Sequence, residues 1–213
     1  MRVVFTILFA LLWLAADACS SAIVARKLSK EGEVLLWKHR DQTDINDCRI
    51  AHFDDGKYAY TALVNSYVRV GESVLAGVNE VGFGCINTAT RNLSRKPTKQ
   101  GRRYSGKYSL SCRALRECAT VDEFEQMLKR NVRSADFQTN IGVGDATGAA
   151  AYFEIWSDGY ARYDVDTYDV RTNFSFAGRD DKRGTSVRRY DTVRAQMEGK
   201  RRFASVDFFG YSR

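Results

Sequence analysis

Histidine is nearly missing from this chain: His39 and His52 are the only two in 213 residues. That leaves little room for a Cys–His or Ser–His nucleophile pair, or for a metal centre built on several imidazoles. No spacing of the five cysteines resembles a zinc site, so neither a metal nor another cofactor is expected. Beyond the N-terminal stretch there is no second long apolar run. The chain that follows it is therefore expected to be soluble, without a transmembrane segment. Internal repeats and low-complexity tracts are absent too, and about 195 residues make one domain with a substantial core.

Charge is unbalanced in the other direction, with a net +7. Basic residues gather at Arg95, Lys96, Lys99, Arg102, Arg103 and Lys107, and again at Lys200, Arg201 and Arg202. A solvated basic loop around Pro97 accounts for the first group, and attraction of anionic substrates or surfaces is the functional alternative. Nucleic acid is not expected as a partner, because the aromatic residues sit mainly in strand-like runs and no nucleic-acid motif is present.

The N-terminus carries the strongest signal. Arg2 precedes an apolar run from Val3 to Leu14, too short for a comfortable bilayer span, and Ala16-Asp17-Ala18 forms a small-x-small cleavage site. Residues 1–18 therefore form a signal peptide, and the exported chain, periplasmic or secreted, begins at Cys19. Cleavage there puts a thiol and a free α-amine on one residue. An α-amine with a pKa near 7.7–8.0 is substantially neutral at working pH and can take the thiol proton. Export would double as activation. Two other readings stay open: an ordinary mature terminus with Cys19 in a disulfide, and a lipid anchor on the Cys19 thiol, which the Ala16-Asp17 context fits poorly. The odd count of Cys19, Cys48, Cys85, Cys112 and Cys118 leaves at least one thiol without an intrachain partner.

Along the chain, Ser20–Arg26 and Glu33–His39 form a β-hairpin through Lys30-Glu31-Gly32. Strand patterns follow at Lys57–Asn65, Ser73–Asn79 and Phe83–Ala89, with a polar basic loop from Arg91 to Lys107. Leu110–Cys118 is helical. Thr120-Val121-Asp122-Glu123 is a capping box opening a helix to about Asn131. Strands are expected at Thr139–Gly144, Ala149–Trp156, Tyr160–Val165 and Val170–Phe176, and a last helix at Ser186–Met197. Sheet, two helices, sheet and helix in this order suit two antiparallel sheets packed together with helices outside.

Several short motifs now fall into place behind the processed cysteine. They are Leu35-Leu36-Trp37-Lys38-His39-Arg40-Asp41, Gly77-Val78-Asn79-Glu80-Val81-Gly82-Phe83 with the strand to Asn87, Gly142-Val143-Gly144-Asp145-Ala146-Thr147-Gly148 with Tyr152-Phe153-Glu154, and Arg171-Thr172-Asn173-Phe174. Their order resembles the N-terminal nucleophile hydrolases of the linear-amide type: choloylglycine hydrolases, penicillin V acylases and isopenicillin-N acyltransferase-like (peptidase C45-like) proteins. The resemblance spans Cys19 to about Tyr190. It implies an α+β fold, a four-layer αββα sandwich of two antiparallel sheets, and cleavage of a small-molecule amide through a thioester.

By the same resemblance, Cys19 is nucleophile and base, Asp41 holds the α-amine, and Asn87 donates to the oxyanion. Asn173 orients the amine end, and Arg189, with a register uncertain by one against Arg188, supports the nucleophile. Where bile-salt and penicillin members carry Arg three before the Asp, this chain has Lys38, which keeps the charge and loses the bidentate fork. Lys38 and the adjacent Arg40 are the expected substrate-binding cations. Family members run well past the point matching Arg189, so the resemblance also implies a sandwich incomplete at its C-terminus. Acyl transfer through the same thioester, and a non-catalytic basic surface protein, remain as alternatives; homo-oligomerisation is open.

Overall fold

The structure, a computed structural model, describes residues 19–40, 48–67, 71–90, 92–93, 109–131, 138–157, 159–178 and 184–211. Two antiparallel sheets form its centre. The smaller has three strands in the order β10-β1-β2, from β1 (Ser20–Val24), β2 (Leu35–His39) and β10 (Tyr168–Arg171). The larger has seven in sequence order: β3 (Cys48–Phe53), β4 (Tyr60–Tyr67), β5 (Gly71–Asn79), β6 (Gly84–Ala89), β7 (Thr139–Gly144), β8 (Ala150–Trp156) and β9 (Gly159–Asp164). Helices α1 (Leu110–Glu117) and α2 (Val121–Asn131) cover the outer face of the large sheet, and α3 (Thr185–Met197) and α4 (Phe208–Tyr211) cover the outer face of the small one. The layers run helix, sheet, sheet, helix, as expected.

Two-residue alternation divides the strands between three cores. Ile141, Val143, Phe153 and Ile155 pack under Leu115, Phe124, Met127 and Leu128 of α1 and α2. Ala22, Val24 and Val170 meet Val193, Met197 and Phe208 of α3 and α4. Between the sheets lie Ile23, Ile86 and Tyr152, with Leu36 and Ala76 beside them. The sheets approach closely because β6 and β7 present glycines on this face: Gly84 pairs with Gly144, and Ile86 with Gly142. A Cβ at Gly142 would lie 2.7 Å from the Tyr152 ring and 3.0 Å from Ile23.

The helix starts follow the sequence. Ser109 Oγ accepts from Cys112 N at the start of α1, and Thr120 Oγ1 accepts from Glu123 N at 3.1 Å at the start of α2. The Glu123 carboxylate takes the Ala119 N–H at 2.6 Å, one residue earlier than a standard capping box. One expectation needs correction, and one strand went unread. The strand expected over Val170–Phe176 stops at Arg171, because side chains rather than a neighbouring strand take up the backbone of the residues that follow. The edge strand β3 carries no apolar alternation: Arg49, Ile50 and His52 all face solvent, which hid it. Most of the basic loop lies outside the described residues, as do residues 1–18, the expected signal peptide.

Gly142→Ala is expected to destabilise the fold by about 1–3 kcal/mol, the usual cost of an added methyl in a filled core. Urea unfolding of the two proteins measures it; equal midpoints would mean that the sheets do not depend on this contact.

Candidate active site

β1 is buried along its whole length on both faces, so whatever precedes it is held firmly. Cys19 is the residue before β1 and is itself buried. Ser21 and Ile23 face the large sheet, and continuing the alternation back by two residues puts Cys19 on that face. Ser21 Oγ lies 2.9 Å from Thr88 Oγ1 and accepts the Tyr152 hydroxyl at 3.0 Å, tying the start of β1 to β6 and β8. Burial pushes the Tyr152 phenol well above its ordinary pKa, so it stays a hydrogen-bond donor.

Arg189 reaches Cys19 from α3. Its Nη1 donates to the Cys19 carbonyl oxygen at 2.5 Å and to Ser20 Oγ at 3.1 Å, and its Nη2 donates to Asn173 Oδ1 at 2.8 Å. Asn173 in turn donates from Nδ2 to the Ala89 carbonyl at 2.8 Å. The sequence left the register between Arg188 and Arg189 undecided; Arg188 is exposed and Arg189 makes these contacts.

Lys38 lies opposite Ser21 in the β1–β2 ladder, and so diagonal to Cys19. Its ammonium is buried and donates to the Asn87 carbonyl and, at 3.3 Å, to Asn87 Oδ1. Burial holds the Lys38 pKa below its ordinary value. Its electrostatic interaction with Cys19 acts in the opposite sense, and the Arg40 guanidinium acts with burial. Asn87 Nδ2 donates to the Val74 carbonyl at 3.1 Å, where the β5–β6 ladder has already ended at Ala76↔Ile86 and the strands part. A carboxamide carries two N–H groups. Asn87 and Asn173 each give one to a backbone carbonyl.

The structure thus brings together Cys19, Lys38, Asn87, Asn173 and Arg189, from the head of β1, β2, β6, the segment after β10, and α3. Arg40 follows β2 beside this group, and Asp41 lies outside the described residues. The remaining thiols differ in setting. Cys85 and Cys118 sit in the helix-side core, where burial pushes both pKa values up to about 12, a condition that leaves thiols unreactive at neutral pH. No disulfide joins any of the five cysteines, all of which lie among the described residues. Sequence reasoning missed Ser21, Thr88 and Tyr152. Their only signal was a polar group at an inward position of an otherwise apolar strand.

Two of the quoted motifs hold the fold. Asn79 donates to the Leu115 and Cys118 carbonyls at the end of α1 and accepts Phe83 N in its own turn, which Gly82 closes with a φ of 83°. Asp145 accepts Thr147 N and also Val121 N at the start of α2. A cleft of about 690 Å³ opens two residues short of Lys38, along the uncovered edge of β2, lined by Leu36, Ile50, Ala76, Val78 and Ile86 among others. No described helix is long and apolar enough to cross a membrane.

No protein-family model matches the chain, and no curated protein matches it by sequence. Solved structures do match. A mutant of conjugated bile acid hydrolase from Clostridium perfringens superposes with a TM-score of 0.62 at 15% identity, over 91% of this chain and 77% of that one. The Caenorhabditis elegans ortholog of N-acylethanolamine-hydrolyzing acid amidase gives 0.60 at 16%, over 91% and 85%. These likenesses establish the architecture: the chain has the α+β sandwich fold that these two structures share.

The lowered pKa of Lys38 has a stability consequence. Between that pKa and 10.5, its ordinary value, the unfolded chain binds the proton that the folded chain has released, so this residue makes stability rise with pH. Urea unfolding of wild type and Lys38→Met from about pH 7 up to the ordinary lysine pKa should show the difference between them moving in favour of the wild type as pH rises. Parallel curves would mean that Lys38 titrates normally.

Proposed function

We propose that this chain is an exported amidohydrolase that cleaves a linear C–N amide bond through a thioester on Cys19. The observation that carries the reading is the placement of Cys19: a buried cysteine at the head of β1, its carbonyl gripped by Arg189, which Asn173 holds from the other side. The fold it shares with two amide hydrolases adds support.

In this reading, cleavage after Ala18 frees the Cys19 α-amine. The amine takes the thiol proton as sulfur attacks the substrate carbonyl carbon. The resulting oxyanion is met by the second N–H of Asn87 or Asn173 and by a backbone N–H; donors of this kind are worth roughly 3–4 kcal/mol each in other enzymes. Collapse expels the leaving amine, which receives the proton from the α-ammonium. Water then attacks the thioester, gives its proton to the same amine, and releases the acid and the thiol. Arg189 holds the Cys19 backbone still through both steps. Lys38 holds Asn87 through its carbonyl and Oδ1.

Intact mass of the exported protein should begin at an unmodified Cys19, and Cys19→Ala should lower amide turnover by at least about a thousandfold while unfolding at the same temperature as the wild type. Amidase activity retained in that variant would sink the proposal. So would a lipid on the Cys19 thiol, which removes the nucleophile, or a retained leader, which removes the base.

A further inference from the structure

Asn173 stands in a stretch that is neither strand nor helix, and its position must be set by something other than a ladder. Two side chains of the large sheet set it. Asn140 of β7 and Glu154 of β8 are direct cross-strand partners, both wholly buried on the face turned to the small sheet. Asn140 Nδ2 donates to the carbonyls of Thr172, at 3.2 Å, and Phe174, at 2.8 Å, bracketing Asn173 on either side. Its Oδ1 accepts the Ser175 hydroxyl at 2.5 Å. Glu154 takes the next two backbone N–H groups, Phe176 N at 2.8 Å and Ala177 N at 2.7 Å, and pairs with Arg171 Nε at 3.1 Å. Arg171, just before the segment, is itself buried, its guanidinium lying over the rings of Tyr152, Tyr163 and Phe176.

Burying an amide beside a carboxylate is a costly way to cover a sheet face, and apolar residues there would stabilise the fold as well or better. What the polar pair does instead is take up the polar backbone groups on both sides of Asn173. With the segment so held, the Asn173 side chain has one orientation, with Nδ2 on the Ala89 carbonyl and Oδ1 on Arg189. Arg189 then reaches the Cys19 carbonyl with its other terminal nitrogen.

We propose that Asn140, with Glu154 as its neighbour, is the positioning residue of the site. Through the 172–177 segment it fixes Asn173 and Arg189, and through them the backbone of Cys19. The inference rests on the reading of Cys19 as nucleophile, but its structural content does not need that reading.

Asn140→Asp keeps the size of the side chain and turns the two-hydrogen donor into an oxygen facing two carbonyls. In the full chain, processed as the wild type, it should lower kcat by at least tenfold and leave KM within twofold, since Lys38 and Arg40, the expected substrate-binding cations, are untouched. Ser175→Ala is a gentler change that removes only the hydroxyl on Asn140 Oδ1 and its contact with Thr90. Its kcat should fall between wild type and Asn140→Asp, and it serves if Asn140→Asp does not fold. Side-chain NMR without substrate gives an independent readout: the Asn173 carboxamide and Arg189 guanidinium signals should shift in both variants. A folded variant with wild-type kcat, or loss only in proportion to the unfolded fraction, would overturn the proposal. If the wild type turns over no amide, the amidase reading fails, and the NMR result alone decides this one: unchanged Asn173 and Arg189 signals overturn it, shifted signals support it.

Discussion

Val34, Leu36 and Ile23 of the hairpin seat against Gly144, Gly84 and Gly142 of the large sheet, and in each case a Cβ on the glycine would lie 3.0 Å or less from the nearest of them. Three positions without side chains on adjacent strands make a floor on which the hairpin can lie. The rest of the site depends on that closeness. With β1 pressed onto β6 and β8, Ser21 comes within hydrogen-bond reach of Thr88 and Tyr152, and Lys38 within reach of Asn87. Larger residues at these positions would separate the layers, and every one of those bonds spans the gap between them.

The same face changes character along its length. At one end it is glycine and apolar, and it packs. At the other it carries Asn140 and Glu154, and it binds backbone. Because β10 stops at Arg171, the segment behind it has no strand partner, yet it is buried from Thr172 to Ser175. Buried peptide groups must be paired somewhere. Here side chains from β7 and β8, together with Asn92, do what a ladder would otherwise do. A ladder would have imposed strand geometry on Asn173; side chains allow the turn that brings it to Arg189.

Much of the layer order was legible from residues 20–39 and 110–197. The strand over Ser20–Val24 and the Thr120 cap are local properties, and the structure keeps them. β3 was not legible, since an exposed edge strand needs no apolar alternation and Cys48–Phe53 shows none. The glycine motifs were visible but open in meaning. Asn79 and Asp145 turn out to hold helix ends, and what Gly142 and Gly144 do depends on a hairpin far away in the chain.

The residues gathered at Cys19 show where the two kinds of information divide. The chain by itself determined the element periods, the helix starts and the presence of a cysteine behind an apolar run, because each depends on neighbours within a few positions. Which of Arg188 and Arg189 faces Cys19, where Asn87 directs one N–H, and why Lys38 has a lowered pKa were decided only by packing. Each is set by contacts between residues well separated in sequence: Arg189 with Cys19, Asn87 with Val74, and Lys38 buried against Asn87. Burial and hydrogen-bond direction belong to the assembled layers, and no stretch of the chain carries them alone.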